Sequence, residues 1–209
     1  MEEQFIIKQA EFITSAGTDG RYPDPLPCEI AIVGKSNVGK SSLINRLANN
    51  QKLAKTSAQP GKTRLVNFFL LNKSTYLVDL PGYGFAKASK TEQKSWGELM
   101  DRYLKSGRVK HLFMLIDIRH EPTQDDLTMF RYLIYYGIPY TLVATKADKI
   151  AKSKRKTDAC ERAKQLGAPP FAIPFSSETG EGKAELLSRI GQILKDCAAE
   201  RKELPDDEK

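Results

Sequence analysis

The sequence predicts an α/β fold of three layers, in which helices cover both faces of a mostly parallel, six-stranded sheet. Two observations carry this prediction. Short apolar runs alternate along the chain with segments of helical periodicity, which is the pattern of parallel strands joined by crossover helices. Two adjacent runs, Leu65–Leu71 and Ser74–Asp79, are separated only by Asn72-Lys73 and predict a hairpin. One antiparallel edge strand is therefore expected.

Proline positions and composition divide the chain into a lead-in, one domain and a tail. Several prolines make a continuous helix implausible in residues 1–27, which are expected to be an irregular lead-in with a short strand at Phe5–Ile7. Residues 28–200 are expected to form a single domain. Residues 201–209 are acidic and are expected to be a disordered tail.

Within the domain, strands are assigned from short apolar runs and helices from apolar residues spaced three and four positions apart. The polar segment 50–64 contains Pro60-Gly61 and is expected to be a mobile loop. The predicted strands are 28–33, 65–71, 74–79, 111–116, 139–145 and 171–175. The predicted helices run from about 40 to 48 and from about 123 to 136, and a lysine-rich helix ends at 166. Two further helices are predicted from apolar residues on one face, which lie within 96–104 and within 186–197.

Composition restricts the class of protein. The 209 residues are 40% hydrophobic and 28% charged, as expected of one globular domain. No apolar run is long enough for a membrane helix and no signal-peptide core follows the N-terminus, so a cytoplasmic protein without a membrane partner is expected. The protein is also expected to be a monomer. Cys28, Cys160 and Cys197 are widely spaced and odd in number, which indicates reduced thiols without a metal site. The net charge of +7 fits either a polyanionic partner such as RNA or simple solubility.

The segment Gly34–Leu43 fits the pattern G-x-x-x-x-G-K-[ST] through Gly34, Gly39, Lys40 and Ser41. An apolar strand precedes it and an amphipathic helix follows, which is the context that the pattern requires. Glycines let backbone N–H groups face an anion, and the start of the helix adds partial positive charge. Lys40 is expected to reach the terminal phosphates of a nucleoside triphosphate, and the Ser41 hydroxyl to hold a magnesium ion.

Two further segments extend the predicted phosphate site. Asp79-Leu80-Pro81-Gly82 follows a buried strand, where Asp79 can hold the magnesium shell and Gly82 can offer its N–H to the γ-phosphate. Thr63, in the loop before the hairpin, is either a second magnesium hydroxyl or an ordinary loop threonine.

The segment Thr145-Lys146-Ala147-Asp148 follows another buried strand and predicts recognition of a base. The Asp148 carboxylate can accept hydrogen bonds from N1–H and the 2-amino group of guanine, and adenine lacks these donors. The Lys146 stem can lie along the face of the base. Phe175-Ser176-Ser177 is expected to close over the base from the other side. The predicted nucleotide is therefore GTP rather than ATP.

In this order the motifs resemble those of the Ras-like, translation-factor-related P-loop GTPases and, more closely, the EngB (YihA/YsxC) group of bacterial ribosome-biogenesis GTP-binding proteins. The segments that carry the resemblance, within residues 5–200, are Gly34–Leu43 with Asn37, Pro60–Thr63 followed by Asn67-Phe68, Asp79–Ala86, Asp117–His120 with Pro122, and Phe175–Ser177. The resemblance implies the G-domain fold, GTP hydrolysis, switch I at Thr63, switch II from Asp79, and docking onto the large ribosomal subunit and its rRNA during assembly. A cell-division or signalling regulator that binds proteins is the alternative.

Departures from the Ras pattern bear on hydrolysis and affinity. Tyr83 follows Gly82, where Ras-type enzymes place the glutamine that orients the attacking water, so slow intrinsic hydrolysis is expected. In similar GTPases an asparagine at the position of Asn37 helps to bind potassium, so Asn37 is either a potassium ligand or an ordinary loop residue. Thr145 stands where asparagine is commoner, and modest nucleotide affinity is expected.

The predicted site residues fall into three groups. The predicted catalytic residues are Asn37, Lys40, Thr63 and Gly82. The predicted magnesium ligands are Ser41, Thr63 and Asp79. The predicted GTP-binding residues are Gly34, Lys35, Ser36, Asn37, Val38, Gly39, Lys40, Ser41, Ser42, Pro60, Gly61, Lys62, Thr63, Asp79, Gly82, Thr145, Lys146, Asp148, Phe175, Ser176 and Ser177. A basic cluster beside the base site is either an RNA contact or a solvated helix face, and consists of Lys149, Lys152, Lys154, Arg155 and Lys156.

Overall fold

The computed structural model describes residues 5–55, 65–84 and 90–203, and in them one sheet carries helices on both faces. The strands are β1 Ala10–Ala16, β2 Glu29–Gly34, β3 Val66–Leu71, β4 Thr75–Asp79, β5 Val109–Asp117, β6 Tyr140–Thr145 and β7 Ile173–Pro174. The helices are α1 Lys40–Leu47, α2 Lys90–Lys105, α3 Gln124–Tyr135, α4 Arg155–Gln165 and α5 Lys183–Glu203. Two short 3₁₀ turns, Ala147–Lys149 and Lys152–Lys154, precede α4.

The sheet has the order β1-β3-β4-β2-β5-β6-β7. The pairs β4–β2, β2–β5, β5–β6 and β6–β7 are parallel, whereas β3 is antiparallel to both β1 and β4. The α/β class and the hairpin are confirmed. The predicted count of six strands is wrong, because a seventh strand, β1, lies outside β3 and forms the edge of the sheet.

The strand β1 lies in the segment predicted to be an irregular lead-in. The predicted strand at Phe5–Ile7 is wrong, since β1 begins at Ala10. Most of its side chains face solvent, with Phe12 50% exposed and Ile13 39% exposed. An edge strand of this kind lacks the buried apolar run by which a strand is recognised in sequence.

Asn72 holds the chain that leads into β1. Asn72 and Lys73 form the tight turn between β3 and β4 and both have positive φ, at 48° and 58°, as two-residue hairpin loops of the primed type require. The Asn72 Oδ1 accepts hydrogen bonds from the N–H groups of Lys8 at 2.8 Å and Gln9 at 3.1 Å, and its Nδ2 donates to Ile6 O at 2.8 Å. The turn residue that predicted the hairpin therefore also anchors the N-terminal segment.

The core consists of two clusters of buried side chains, one on each face of the sheet. One cluster packs α2, α3 and α4 against the sheet and contains Tyr103 and Phe130. The other packs α1 and α5 against the opposite face and contains Leu43 and Leu186. This is the three-layer arrangement that alternating strands and helices predict.

The helix α5 continues through Glu203, so the predicted boundary at residue 200 falls inside this helix. The last part of the predicted tail, residues 204–209, lies outside the described residues. Within the described ranges, no helix combines the length and the apolar character needed to cross a bilayer.

Candidate functional site

Four neighbouring parallel strands end at residues of one site. Gly34 ends β2, Asp79 ends β4, Asp117 ends β5 and Thr145 ends β6. Carboxyl ends of parallel strands lie along the same edge of a sheet, which is where ligands bind in α/β folds. Three of these residues were predicted to be functional. Asp117 was not among the predicted site residues, although its position at the end of a buried strand was the available signal.

The loop between β2 and α1 takes the shape that its glycines permit. A Cβ on Gly34 would lie 2.8 Å from Val38 Cγ1 and 2.9 Å from the carbonyl oxygen of Leu115, so a larger residue does not fit. Gly39 has a φ of 112° and Asn37 a φ of 63°, in the left-handed region. The helix α1 then begins at Lys40, so its unpaired N–H groups and partial positive charge face the loop.

Beside this loop lie three residues of the site, Lys40, Asp79 and Gly82. The Lys40 Nζ lies 3.9 Å from Asp79 Oδ1. A Cβ on Gly82 would lie 3.1 Å from Lys40 Nζ and 3.1 Å from Ser36 Oγ, so the glycine allows the backbone to approach both. The Tyr83 carbonyl oxygen accepts a hydrogen bond from Ser36 N at 2.9 Å, which holds the two segments together.

Asp79 is suited to hold a cation. Its side chain is buried, and its Oδ1 accepts no hydrogen bond from the described residues. Burial raises the pKa of Asp79, whereas the Lys40 ammonium and a hydrogen bond from Asn67 act in the opposite direction. A divalent cation would favour the charged carboxylate and contact Oδ1 directly, whereas Lys40 Nζ is 3.9 Å away. Magnesium prefers such oxygen ligands.

Asn45, which the sequence analysis did not single out, holds the chain after α1. It is 8% exposed. Its Nδ2 donates to the carbonyl oxygens of Gln51 at 3.0 Å and Ala54 at 2.9 Å, and its Oδ1 accepts from Ala54 N at 2.7 Å. An asparagine among the apolar residues of an amphipathic helix was the available signal. The predicted residues Pro60, Gly61, Lys62 and Thr63 lie outside the described residues.

The predicted base-reading residues form a second part of the site. The Asp148 Oδ1 accepts a hydrogen bond from Ser176 Oγ at 2.7 Å, and its Oδ2 lies 2.9 Å from Lys149 Nζ. Burial by itself raises the pKa of Asp148, but the hydrogen bonds from Lys149 and Ser176 outweigh it, so the pKa is lowered. The carboxylate is thereby kept as an acceptor. The Ala147 N–H donates to Phe175 O at 3.0 Å and joins the two predicted segments.

Thr145 connects the base-reading segment to the phosphate loop. It is 3% exposed, and its Oγ1 donates a hydrogen bond to Val38 O at 2.7 Å and also lies 3.0 Å from Ile116 O. The hydroxyl therefore braces the phosphate loop.

Lys146 is held by the acidic residue that ends β5. It has a φ of 61°, and its Nζ lies 2.9 Å from Asp117 Oδ2. Asp117 also accepts hydrogen bonds from Arg119 Nε at 2.9 Å and Nη2 at 2.8 Å. Burial acts to raise the pKa of Asp117, but these two cations hold it well below its ordinary value. Asp117 thus positions the lysine that is predicted to lie on the base.

We expect Thr145→Val to weaken both folding and nucleotide binding. Valine keeps the shape but removes the donor to Val38 O, which should lower the free energy of unfolding by about 1–3 kcal/mol. Urea unfolding and titration with a fluorescent GTP analogue measure the two effects. Thr145→Ser keeps the hydroxyl and is the control. Equal behaviour of the two variants would show that the hydroxyl does not brace the loop.

Tyr83 points into the core rather than toward the phosphate loop. Its side chain is 5% exposed, and its hydroxyl donates to Asp126 Oδ1 at 2.8 Å. The ring packs edge-on against Trp96, with centroids 6.3 Å apart. The other carboxylate oxygen of Asp126 accepts hydrogen bonds from the N–H and hydroxyl of Thr123, which cap α3. Tyr83 therefore ties the segment after Gly82 to the start of α3.

Tyr83→Phe is expected to destabilise the fold without slowing GTP hydrolysis. The change leaves the buried Asp126 Oδ1 without its donor, which should cost about 1–3 kcal/mol of unfolding free energy. Because the phenol is bonded away from the phosphate loop, the single-turnover rate should be unchanged. Urea unfolding and a phosphate-release assay test the two statements. A large fall in rate with stability preserved would contradict the observed orientation.

Most of the basic cluster beside the base-reading segment is exposed. Lys149 pairs with Asp148 although its side chain is 56% exposed, and Arg155 pairs with Glu181 and is largely covered. The other members are exposed, and these are Lys152, Lys154 and Lys156. Every member except Arg155 thus contributes to a solvated surface that could meet a polyanion.

Comparisons with known proteins agree with this geometry. A family model described as "50S ribosome-binding GTPase" matches residues 29–146. The chain is 48% identical to "Probable GTP-binding protein EngB" of Clostridium kluyveri over 90% of this chain and 97% of the relative. It is 44% identical to the protein of the same name from Oceanobacillus iheyensis, over 90% and 98%.

Solved structures share the fold. A crystal structure of a probable GTP-binding protein engB has a TM-score of 0.66 at 24% identity and covers 81% of this chain and 100% of its own. Era, in complex with MgGDPNP and a segment of 16S ribosomal RNA, has a TM-score of 0.64 at 26% identity and covers 79% of this chain and 56% of its own.

Proposed function

Because the chain belongs to the EngB family of GTP-binding proteins, P-loop GTPases that hydrolyse GTP, we propose that it is a GTP-dependent switch in assembly of the large ribosomal subunit. One observation supports the part of the proposal that concerns GTP binding. The Thr145 hydroxyl joins the base-reading segment to the phosphate loop at Val38, so base and phosphates can be held at once. The description of the matched family supports the ribosomal part.

In this proposal the backbone of the phosphate loop and the start of α1 bind the phosphates, and Asp148 binds guanine. Ser41, Thr63 and Asp79 would hold magnesium, which would supply positive charge to the phosphates. The Oδ1 of Asp79, which accepts no hydrogen bond from the described residues, supports this assignment. Thr63 and the segment from Asp79 would bind the γ-phosphate and magnesium before hydrolysis and release them afterwards.

The hydrolysis step relies on charge rather than on a general base. The Lys40 ammonium and the Gly82 N–H are proposed to stabilise the charge that develops on the transferred phosphoryl group. The side chain of Tyr83 is bonded to Asp126 and takes no part, so intrinsic turnover should be slow. Asn37 is exposed on the phosphate loop and can help a potassium ion to supply the missing positive charge.

Potassium is expected to stimulate hydrolysis through Asn37. Turnover measured in potassium chloride should exceed that in sodium chloride by roughly tenfold or more, below the gain from an arginine finger. Asn37→Gly removes the amide while keeping a residue that adopts positive φ, and it should abolish the difference. Asn50→Gly, on the exposed loop after α1, is the control. Equal rates of the unmodified protein in the two salts would exclude this role.

The ribosomal role is tested by co-sedimentation with large-subunit precursors in GDP, GTP and a non-hydrolysable analogue. The proposal expects binding that depends on the nucleotide and falls steeply as salt increases, because phosphate contacts release counterions. Binding that ignores the nucleotide would contradict the switch. Complexes with proteins alone, which survive nuclease treatment, would instead support the cell-division or signalling alternative.

A further inference from the structure

Two cysteines that are far apart in sequence meet on the face of the sheet opposite to α2 and α3. Cys28 immediately precedes β2, and Cys197 lies near the end of α5. The Cys197 thiol donates a hydrogen bond to the Cys28 sulfur at 2.7 Å. The two side chains are 3% and 7% exposed. The sulfurs therefore lie within a small side-chain adjustment of the roughly 2.05 Å of a disulfide bond.

The backbones of the two cysteines are anchored differently. The carbonyl oxygen of Cys28 accepts hydrogen bonds from Thr75 Oγ1 at 2.6 Å and from Tyr76 N at 3.4 Å, so Cys28 is fixed to β4. Cys197 is the last buried side chain of α5 among those described, and residues 198–201 are exposed. Cys197 thus makes the final core contact of a helix whose end can adjust.

A groove gives small molecules a route to the pair. It has a volume of about 560 Å³ and is lined by both cysteines, with Ser74 on one side and Leu194 and Ala198 of α5 on the other. A peroxide is far smaller than this groove. The two thiols are accordingly covered by the fold but border a space that a small oxidant can enter.

We propose that Cys28 and Cys197 form a redox-modification site, in which a hydroperoxide converts the two thiols into a reversible disulfide that fastens the end of α5 to the sheet. The site lies outside the proposed nucleotide site and does not depend on it. Cytosolic disulfides in mesophiles are usually transient or redox-sensing.

The chemistry balances with hydrogen peroxide as the oxidant. The Cys197 thiolate attacks the O–O bond, forms a sulfenic acid and releases hydroxide, which takes the thiol proton and leaves as water. The Cys28 sulfur then attacks the Cys197 sulfur and displaces a second hydroxide, which takes the Cys28 proton. Two thiols and one peroxide give one disulfide and two waters.

Cys197 is assigned the first attack, because it lines the groove from a helix end that can adjust, whereas Cys28 is fixed to β4. Burial raises the pKa of both thiols, so the reaction should be slow compared with that of an exposed thiolate.

The test is oxidation of the full reduced chain with hydrogen peroxide, followed by alkylation in denaturant and peptide mapping without reductant. We expect a Cys28–Cys197 peptide pair that disappears on treatment with dithiothreitol. Cys160 lies on α4 and offers the matched control. Cys160→Ser should leave the cross-link intact, whereas Cys197→Ser should abolish it. If Cys28 and Cys197 stay reduced while Cys160 is oxidised, or if they end as sulfinic acids, the proposal is overturned.

A second measurement tests the consequence for α5. The disulfide would close almost the whole domain into one loop and should raise Tm by roughly 5–15 °C. Amide hydrogen exchange in residues 194–203 should slow on oxidation, because the helix end can no longer open from the core. Faster exchange there, or a lower Tm, would show that the bond forms only in a disrupted fold and would contradict the proposal.

Discussion

Asp148→Asn is expected to lower GTP affinity by roughly 10²–10³-fold. The carboxylate is proposed to accept hydrogen bonds from N1–H and the 2-amino group of guanine, and bonds to a charged group contribute about 1.5–3 kcal/mol each. An amide can accept only through its oxygen and presents an N–H₂ group to the other donor. The loss should therefore be large even though the side chain keeps its size and its place beside Ser176.

The measurement is competitive titration of a fluorescent nucleotide with GTP, ATP and xanthosine triphosphate. Xanthine carries an oxygen where guanine carries its amino group, so the variant should lose much less affinity for xanthosine triphosphate than for GTP. Asp24→Asn, at an exposed position outside the site, is the control for the charge change. An equal loss for all three nucleotides would mean that Asp148 supports the fold rather than reads the base.

Lys40→Ala is expected to reduce the single-turnover rate of GTP hydrolysis by roughly 10²–10³-fold, the usual effect of removing one donor that stabilises transition-state charge. The Nζ lies beside Gly82 and 3.9 Å from Asp79 Oδ1, where it can also favour the ionised carboxylate. Without it, burial would raise the pKa of Asp79 further. Magnesium affinity should therefore fall together with the rate.

Phosphate release is measured at saturating GTP and at several magnesium concentrations, which separates the loss of rate from the loss of metal affinity. Lys94→Ala on α2, whose side chain is 80% exposed, is the matched control. If Lys40→Ala hydrolyses GTP at a rate close to the original at saturating magnesium, Lys40 is not catalytic. If the magnesium dependence of the variant is unchanged, Lys40 does not contribute to magnesium binding through Asp79.

The motifs of the candidate site could be predicted from the sequence, whereas the strand at the edge of the sheet could not. The phosphate and base motifs lie in loops that directly follow buried strands, and each motif is contiguous, so local pattern was sufficient to propose them. The strand β1 has mostly exposed side chains and gains its place by pairing with β3. No local pattern reports such pairing, and the N-terminal strand was therefore predicted several residues too early.

The orientation of the Tyr83 side chain also could not be predicted from the sequence. The sequence was sufficient to say that glutamine is absent after Gly82, and hence that hydrolysis should be slow. It did not report whether the phenol faces the phosphate loop, because that depends on Asp126, 43 positions away in α3. Asn45 was missed although its partners lie only 6 and 9 positions away, because the path of the loop that brings them to its side chain is not encoded in a local pattern.

The sequence by itself determined the alternation of strands and helices, the family, and the nucleotide that the chain is proposed to bind. Only the tertiary structure decided which distant side chains meet: Thr145 with Val38, Tyr83 with Asp126, and Cys28 with Cys197. The physical reason is that hydrophobic periodicity reports which face of an element is buried. The partner that the face meets is chosen by the packing of elements that are remote along the chain.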